Sequence, residues 1–102
     1  MVYLVVSVRV KEGKLQEFLG LFKSVALKVR EEKGCVQYVS TVDLETGMPP
    51  QSLDKSIVTI LEKWESMDAL QAHLAAPHMT DYFEKEKPLV DELVSMKILK
   101  EA

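Results

Sequence analysis

Every second residue from Val2 to Val10 is aliphatic: Val2, Leu4, Val6, Val8 and Val10. A helix would scatter these side chains around its axis, whereas an extended chain puts all of them on one face. The segment is therefore predicted as a strand with one fully apolar side, and the rest of the chain must supply a layer to cover it. The alternate residues Tyr3, Val5, Ser7 and Arg9 are mixed, so the second face is expected to be only partly wet.

The covering layer is legible in the next segment. Leu15, Phe18, Leu19, Phe22, Val25, Ala26 and Val29 recur at three- and four-residue steps, which gives a helix one apolar stripe. Glu17, Lys23, Lys28, Glu31 and Glu32 fall largely off that stripe, and Gly34 sits where a glycine is wanted to end a helix. A second strand is expected over Cys35–Asp43. Gly47-Met48-Pro49-Pro50 marks a loop, since proline cannot donate to a ladder. Ser56–Trp64 reads as a third strand with large apolar groups on both parities, as a central strand requires.

Ser66 is a suitable N-cap for a helix running to Ala76, and Pro77 suits the first position of a second helix bearing His78, Met79, Tyr82, Phe83 and Glu86. Pro88 should close that helix, and Leu93–Lys100 should form a last strand. The order strand, helix, strand, strand, helix pair, strand is the split βαβ arrangement of a ferredoxin-like α+β domain, with helices on one face of an antiparallel sheet. The other face carries enough apolar surface that a face-to-face homodimer is expected to cover it.

A chain of 102 residues holds one domain, taken as 1–102. Its 13 basic and 16 acidic residues give a net charge of −3, which argues against a nucleic-acid partner. The apolar start is too short to span a membrane and lacks the layout of a signal peptide. The single cysteine, Cys35, excludes an internal disulfide framework and a cysteine-rich zinc site; it fits a reducing, cytoplasmic setting.

No phosphate loop, zinc-protease helix, calcium loop, nucleophile elbow or dinucleotide fingerprint is present. What remains is a polar and aromatic group: Trp64, His73, His78, Met79 and Tyr82, with Tyr38 from the second strand. His73 lies along the inward stripe between Leu70 and Leu74, either as a hydrogen-bonded core histidine or as a pocket donor. His78 is in the first turn of its helix, where the positive helix end should disfavour the imidazolium and leave a neutral base. It could equally support the inter-helix turn. Tyr82 comes four residues later on the same face. Trp64 and Tyr38 are either ordinary core and sheet aromatics or the walls of a pocket for a planar ligand. His73 and His78 are five apart across a proline, a poor clamp for a metal even with Asp81 or Glu84, and no metal is expected.

The segments Glu62-Lys63-Trp64-Glu65-Ser66, Ala69-Leu70, Ala72-His73-Leu74 and Pro77-His78-Met79 resemble the antibiotic biosynthesis monooxygenase domain family, and within it the small bacterial quinol monooxygenases. Gly13, Tyr38 and the turn Glu32-Lys33-Gly34-Cys35 fit the same pattern, so the resemblance covers nearly the whole chain. It implies a dimeric α/β barrel-type assembly and oxygenation of phenols, quinols or polycyclic hydroxy-aromatics by dioxygen, without flavin, haem or metal. The haem-degrading members carry an asparagine on the first strand where this chain offers Ser7, which argues against that activity.

Ionising half of a hydroxy-aromatic of pKa near 10 at neutral pH needs about three units, or roughly 4 kcal/mol. A hydrogen bond to a charged group supplies about 1.5–3 kcal/mol, so two converging groups would suffice. On this reading His78 is the base, His73 and Tyr82 are donors, and Trp64, Tyr38 and Met79 line the substrate. Two other functions use the same residues. An isomerase of a small, phosphorylated dicarbonyl signal would need no oxygen, and a non-catalytic dimeric ligand-binding or stress-response module would show no turnover.

Overall fold

The aliphatic face of the first strand becomes the floor of a two-layer domain in the computed structural model, which describes residues 1–102. Strand β1 (Val2–Val10) pairs antiparallel with β3 (Ile57–Trp64) on one side and β4 (Val90–Leu99) on the other. Strand β2 (Cys35–Val42) adds outside β3, giving the order β2-β3-β1-β4. Because β3 runs antiparallel to both neighbours, β1 and β2 are parallel with β3 inserted between them, which is the predicted split βαβ topology. Helices α1 (Leu15–Val29), α2 (Met67–Ala75) and α3 (Pro77–Glu86) cover one face, and a single 3-10 turn, Lys87–Leu89, leads into β4.

The core obeys the two periodicities. Leu4, Val6, Val8 and Val10 from β1 and Val58, Ile60 and Trp64 from β3 are buried against Phe18, Phe22, Val25 and Val29 of α1 and Leu70, Met79 and Tyr82 of the other helices. Fully burying an aliphatic or aromatic side chain of this kind contributes roughly 1.5–3 kcal/mol each. The Ser66 side chain accepts from the Ala69 backbone N–H at 3.1 Å, and Pro77 opens α3, both as expected.

Two boundaries differ from expectation by more than one residue. β4 begins at Val90 rather than Leu93, because irregularities opposite Ser7/Val8 and Arg9/Val10 let Val90 come into register with Val10. Helix α1 ends at Val29, and Arg30–Lys33 form a separate turn before Gly34, so Gly34 closes that turn instead of the helix. Strand β4 is an edge strand that the helices do not reach fully. Leu93, Met96 and Ile98 share a face with the β1 core residues yet are each about half exposed.

Candidate functional site

Strict alternation along β3 places Val58, Ile60, Glu62 and Trp64 on the helix-covered face. Glu62 is the one charged side chain in that row and is only 7% exposed. The indole N–H of Trp64 donates to its Oε1 at 2.9 Å. Across from it, His73 of α2 is 1% exposed, with its ring 4.6 Å from that of Trp64 and edge-on to Tyr38 at 5.4 Å. Nε2 of His73 faces Glu62 Oε1 at 3.8 Å, and Nδ1 meets Glu32 Oε2 at 2.9 Å.

Glu32 reaches the imidazole from the turn after α1, and Gly34 makes that approach possible. Gly34 has φ +84°, and a Cβ there would lie 2.6 Å from Cβ of Ala69 on α2. Its carbonyl accepts from Glu65 N–H at 2.9 Å, tying the turn to the end of β3. The same Glu32 oxygen is 2.8 Å from Nε2 of His78. One carboxylate oxygen therefore lies within hydrogen-bond distance of a ring nitrogen from each histidine.

Burial sets the electrostatics of this corner. It lowers the His73 pKa, against the raising influence of Glu32, so the ring is neutral at pH 7. It raises the Glu62 carboxyl to about 7, with Trp64 opposing and the charge of Glu32 adding to the rise. Glu86 is raised by burial as well. The Tyr38 and Tyr82 hydroxyls are pushed far above their ordinary value by burial and then by nearby carboxylates, Glu62 for Tyr38 and Glu86 for Tyr82. The Tyr82 hydroxyl is buried beside Glu86 with no partner in hydrogen-bonding geometry.

These groups border a cavity of about 250 Å³ between the sheet and α2–α3. Its walls are apolar except for Glu62, His73 and Glu86, and its rim includes Leu74, Phe83, Leu93 and Met96, at the edge where β4 outreaches the helices. His73, Tyr38, Tyr82 and Met79 all line it, so four of the six residues singled out from the sequence converge. Trp64 does not. It is wholly buried behind Glu62, where it holds the carboxylate instead of forming a wall. His78 is also outside, in a polar cleft between α1 and α3 with Ser24, Lys28, Asp81 and Lys85, and it touches the site through Glu32.

Sequence reasoning missed Glu32, Glu62 and Glu86. Glu62 left a signal, a lone carboxylate on an otherwise apolar parity two residues before a tryptophan. Glu32 left none in the helical periodicity, because the helix ends before it. No three His, Cys, Asp or Glu side chains are arranged to hold a metal ion. Asp81 instead pairs with Lys85 at 2.9 Å and Glu84 with Lys87 at 3.1 Å. The Cys35 thiol is raised mainly by burial, in keeping with a packed side chain. No helix is long and apolar enough to cross a membrane.

The sequence profile described as antibiotic biosynthesis monooxygenase matches residues 1–85. The chain is 34% identical over 95 residues to an Escherichia coli K12 protein named probable quinol monooxygenase YgiN, covering 91% of each. Among solved structures, a conserved protein from Methanosarcina mazei Go1 superposes with a TM-score of 0.86 at 27% identity, over 99% of this chain and 92% of that one. Rv0793 from Mycobacterium tuberculosis superposes with a TM-score of 0.81 at 20% identity, over 99% and 94%, a likeness of fold.

Proposed function

The chain belongs to the antibiotic biosynthesis monooxygenase family, and from that premise we propose that it oxygenates a quinol or related hydroxy-aromatic with dioxygen. The observation that carries the reading is an apolar cavity with its imidazole and one carboxyl gathered at a single corner, His73 against Glu62. In this reading a planar arene lies among Tyr38, Met79 and Tyr82, which line the cavity, with a hydroxyl at that corner. Neutral His73 accepts the hydroxyl proton, a role the residue pattern suggested for His78, which lies outside the cavity.

The ring, now an electron-rich anion, gives an electron to dioxygen, and the radical pair joins through a new carbon–oxygen bond. The proton held on the imidazole returns to the peroxide. Loss of the hydrogen from the ring carbon that bears it then drives cleavage of the O–O bond. The C–H electron pair forms the carbonyl left on the ring, and the departing hydroxide takes up the released proton and leaves as water, so the ring supplies all the electrons. A base removing the proton together with one charged hydrogen bond covers the roughly 4 kcal/mol that ionisation requires. No flavin, haem or metal is part of this scheme.

The reading also includes a homodimer. Val5, Val39, Ile57 and Leu61 on the outer sheet face are only partly covered within one chain, and a second copy would bury them. Sedimentation at low concentration tests this. The activity is tested in an oxygen electrode with a series of hydroquinones. Uptake that depends on His73 supports the proposal. Turnover that persists under argon would instead assign isomerase chemistry, and saturable quinone binding without uptake would make the protein a binding module.

A further inference from the structure

We propose that Glu32 is a positioning residue for the cavity base, fixing the His73 tautomer whose Nε2 lone pair faces Glu62 and the cavity, and that His78 serves by clamping Glu32. This rests on the reading of His73 as the proton acceptor, but the geometry behind it is independent of the substrate. An imidazole that is neutral carries one proton, and the carboxylate 2.9 Å from Nδ1 requires it there. The other tautomer would set a lone pair against a carboxylate oxygen, with nothing else near Nδ1 to compensate.

The groups facing the ring come from every neighbouring element. Glu32 comes from the turn after α1, Tyr38 from β2, Glu62 and Trp64 from β3, and His78 from α3 through Glu32. Only Glu32 is within hydrogen-bond distance. Its side chain is 15% exposed while Glu31 and Lys33 on either side are exposed, so the turn directs this one carboxylate inward. The second donor, His78, is 23% exposed and absent from the cavity lining, which suits a clamp and not a group that meets substrate.

The test is a two-bond proton–nitrogen correlation spectrum of the 15N-labelled protein at pH 8, joined to steady-state kinetics. Wild-type His73 should show a protonated Nδ1 and a bare Nε2. In Glu32→Gln the new amide can donate to Nδ1, so the proton should move to Nε2. Its kcat should then fall on the order of 100-fold while KM stays within about 3-fold, since the wrong tautomer removes the base and not the binding. Glu32→Asp should keep the Nδ1 proton and recover part of kcat. His78→Leu should lower kcat about 10-fold, and His78→Gln, which can still donate to Glu32, should recover most of that loss.

A wild-type His73 protonated at Nε2, or a Glu32→Gln protein with unchanged tautomer and kcat, would overturn the proposal. A His78→Leu loss confined to KM would overturn the clamp and place His78 on the substrate. If no quinol is turned over, the monooxygenase reading fails by itself. The wild-type spectrum still decides the role of Glu32, and it does so even where a variant does not fold.

Discussion

Two clusters of ionisable side chains flank the sheet, and each contains a contact of 2.9 Å. On the outer face Arg9 meets Asp54 and Glu92 at 2.9 Å each, with its guanidinium also 2.6 Å from Ser56 Oγ. On the helix side Glu32, His73 and Glu62 meet at 2.9 and 3.8 Å. Hydrogen bonds from Ser56 and then Arg9 hold the Asp54 carboxyl down at about 2, whereas burial drives Glu62 up to about 7. A carboxylate in water with a cation beside it stays ionised at any physiological pH; one withdrawn from water becomes a group that can trade a proton near neutrality. The first cluster joins loop and strands, and the second can do chemistry.

The widest separation between the two should appear in turnover. His73→Ala is expected to lower oxygen uptake with a quinol by at least about 100-fold, while Arg9→Ala, on the opposite face, should leave it within about 2-fold. An equal loss in both would mean the variants act through stability, and thermal melts would show it. Gly34→Ala should come next. A left-handed backbone and a Cβ placed 2.6 Å from Ala69 together cost about 3 kcal/mol, or roughly 12–24 °C in Tm. The damage should extend to the Glu32–His73 contact that the turn supports.

Glu62→Gln sharpens the comparison through pH. The carboxyl titrates at 4.5 when unfolded and about 7 when folded, so the native state holds its proton more tightly. Its ionisation therefore destabilises the fold, a penalty absent below pH 4.5, growing as pH rises, and complete above pH 7. The variant should match wild type at pH 4.5 and exceed it by up to roughly 3 kcal/mol at pH 8 in urea unfolding. His73 runs the other way. Its lowered pKa makes the fold lose stability as pH falls below 6.5, and His73→Gln should remove that loss. The smallest effect belongs to the outer cluster. Asp54→Asn should shift Tm only slightly, and the shift should shrink with added salt because those charges are screened.

Most of the fold was legible because its signals are local. Alternation from Val2 to Val10, the stripe from Leu15 to Val29, the Ser66 cap and Pro77 each announce an element over a few residues. The element order then leaves few topologies. The site was legible only in part. Tyr38, His73, Met79 and Tyr82 stood out by type and do share the cavity, whereas Trp64 and His78 lie outside its lining and reach it through Glu62 and Glu32. Each acts on a carboxylate, and carboxylates are too common in a sequence to single out. Glu32 is 41 residues from His73 along the chain and meets it only because Gly34 lets the turn dock on α2.

From the sequence alone came the strands, the helices, their order and the apolar face each would bury, since these are dictated by short-range periodicity and the need to exclude water. The closed structure alone decided which carboxylates would be left inside, which nitrogen of His73 would meet Glu32, and that His78 would lie outside the cavity lining. Those properties depend on distances between remote parts of the chain and on how completely water is removed, neither of which is written in the spacing of residues.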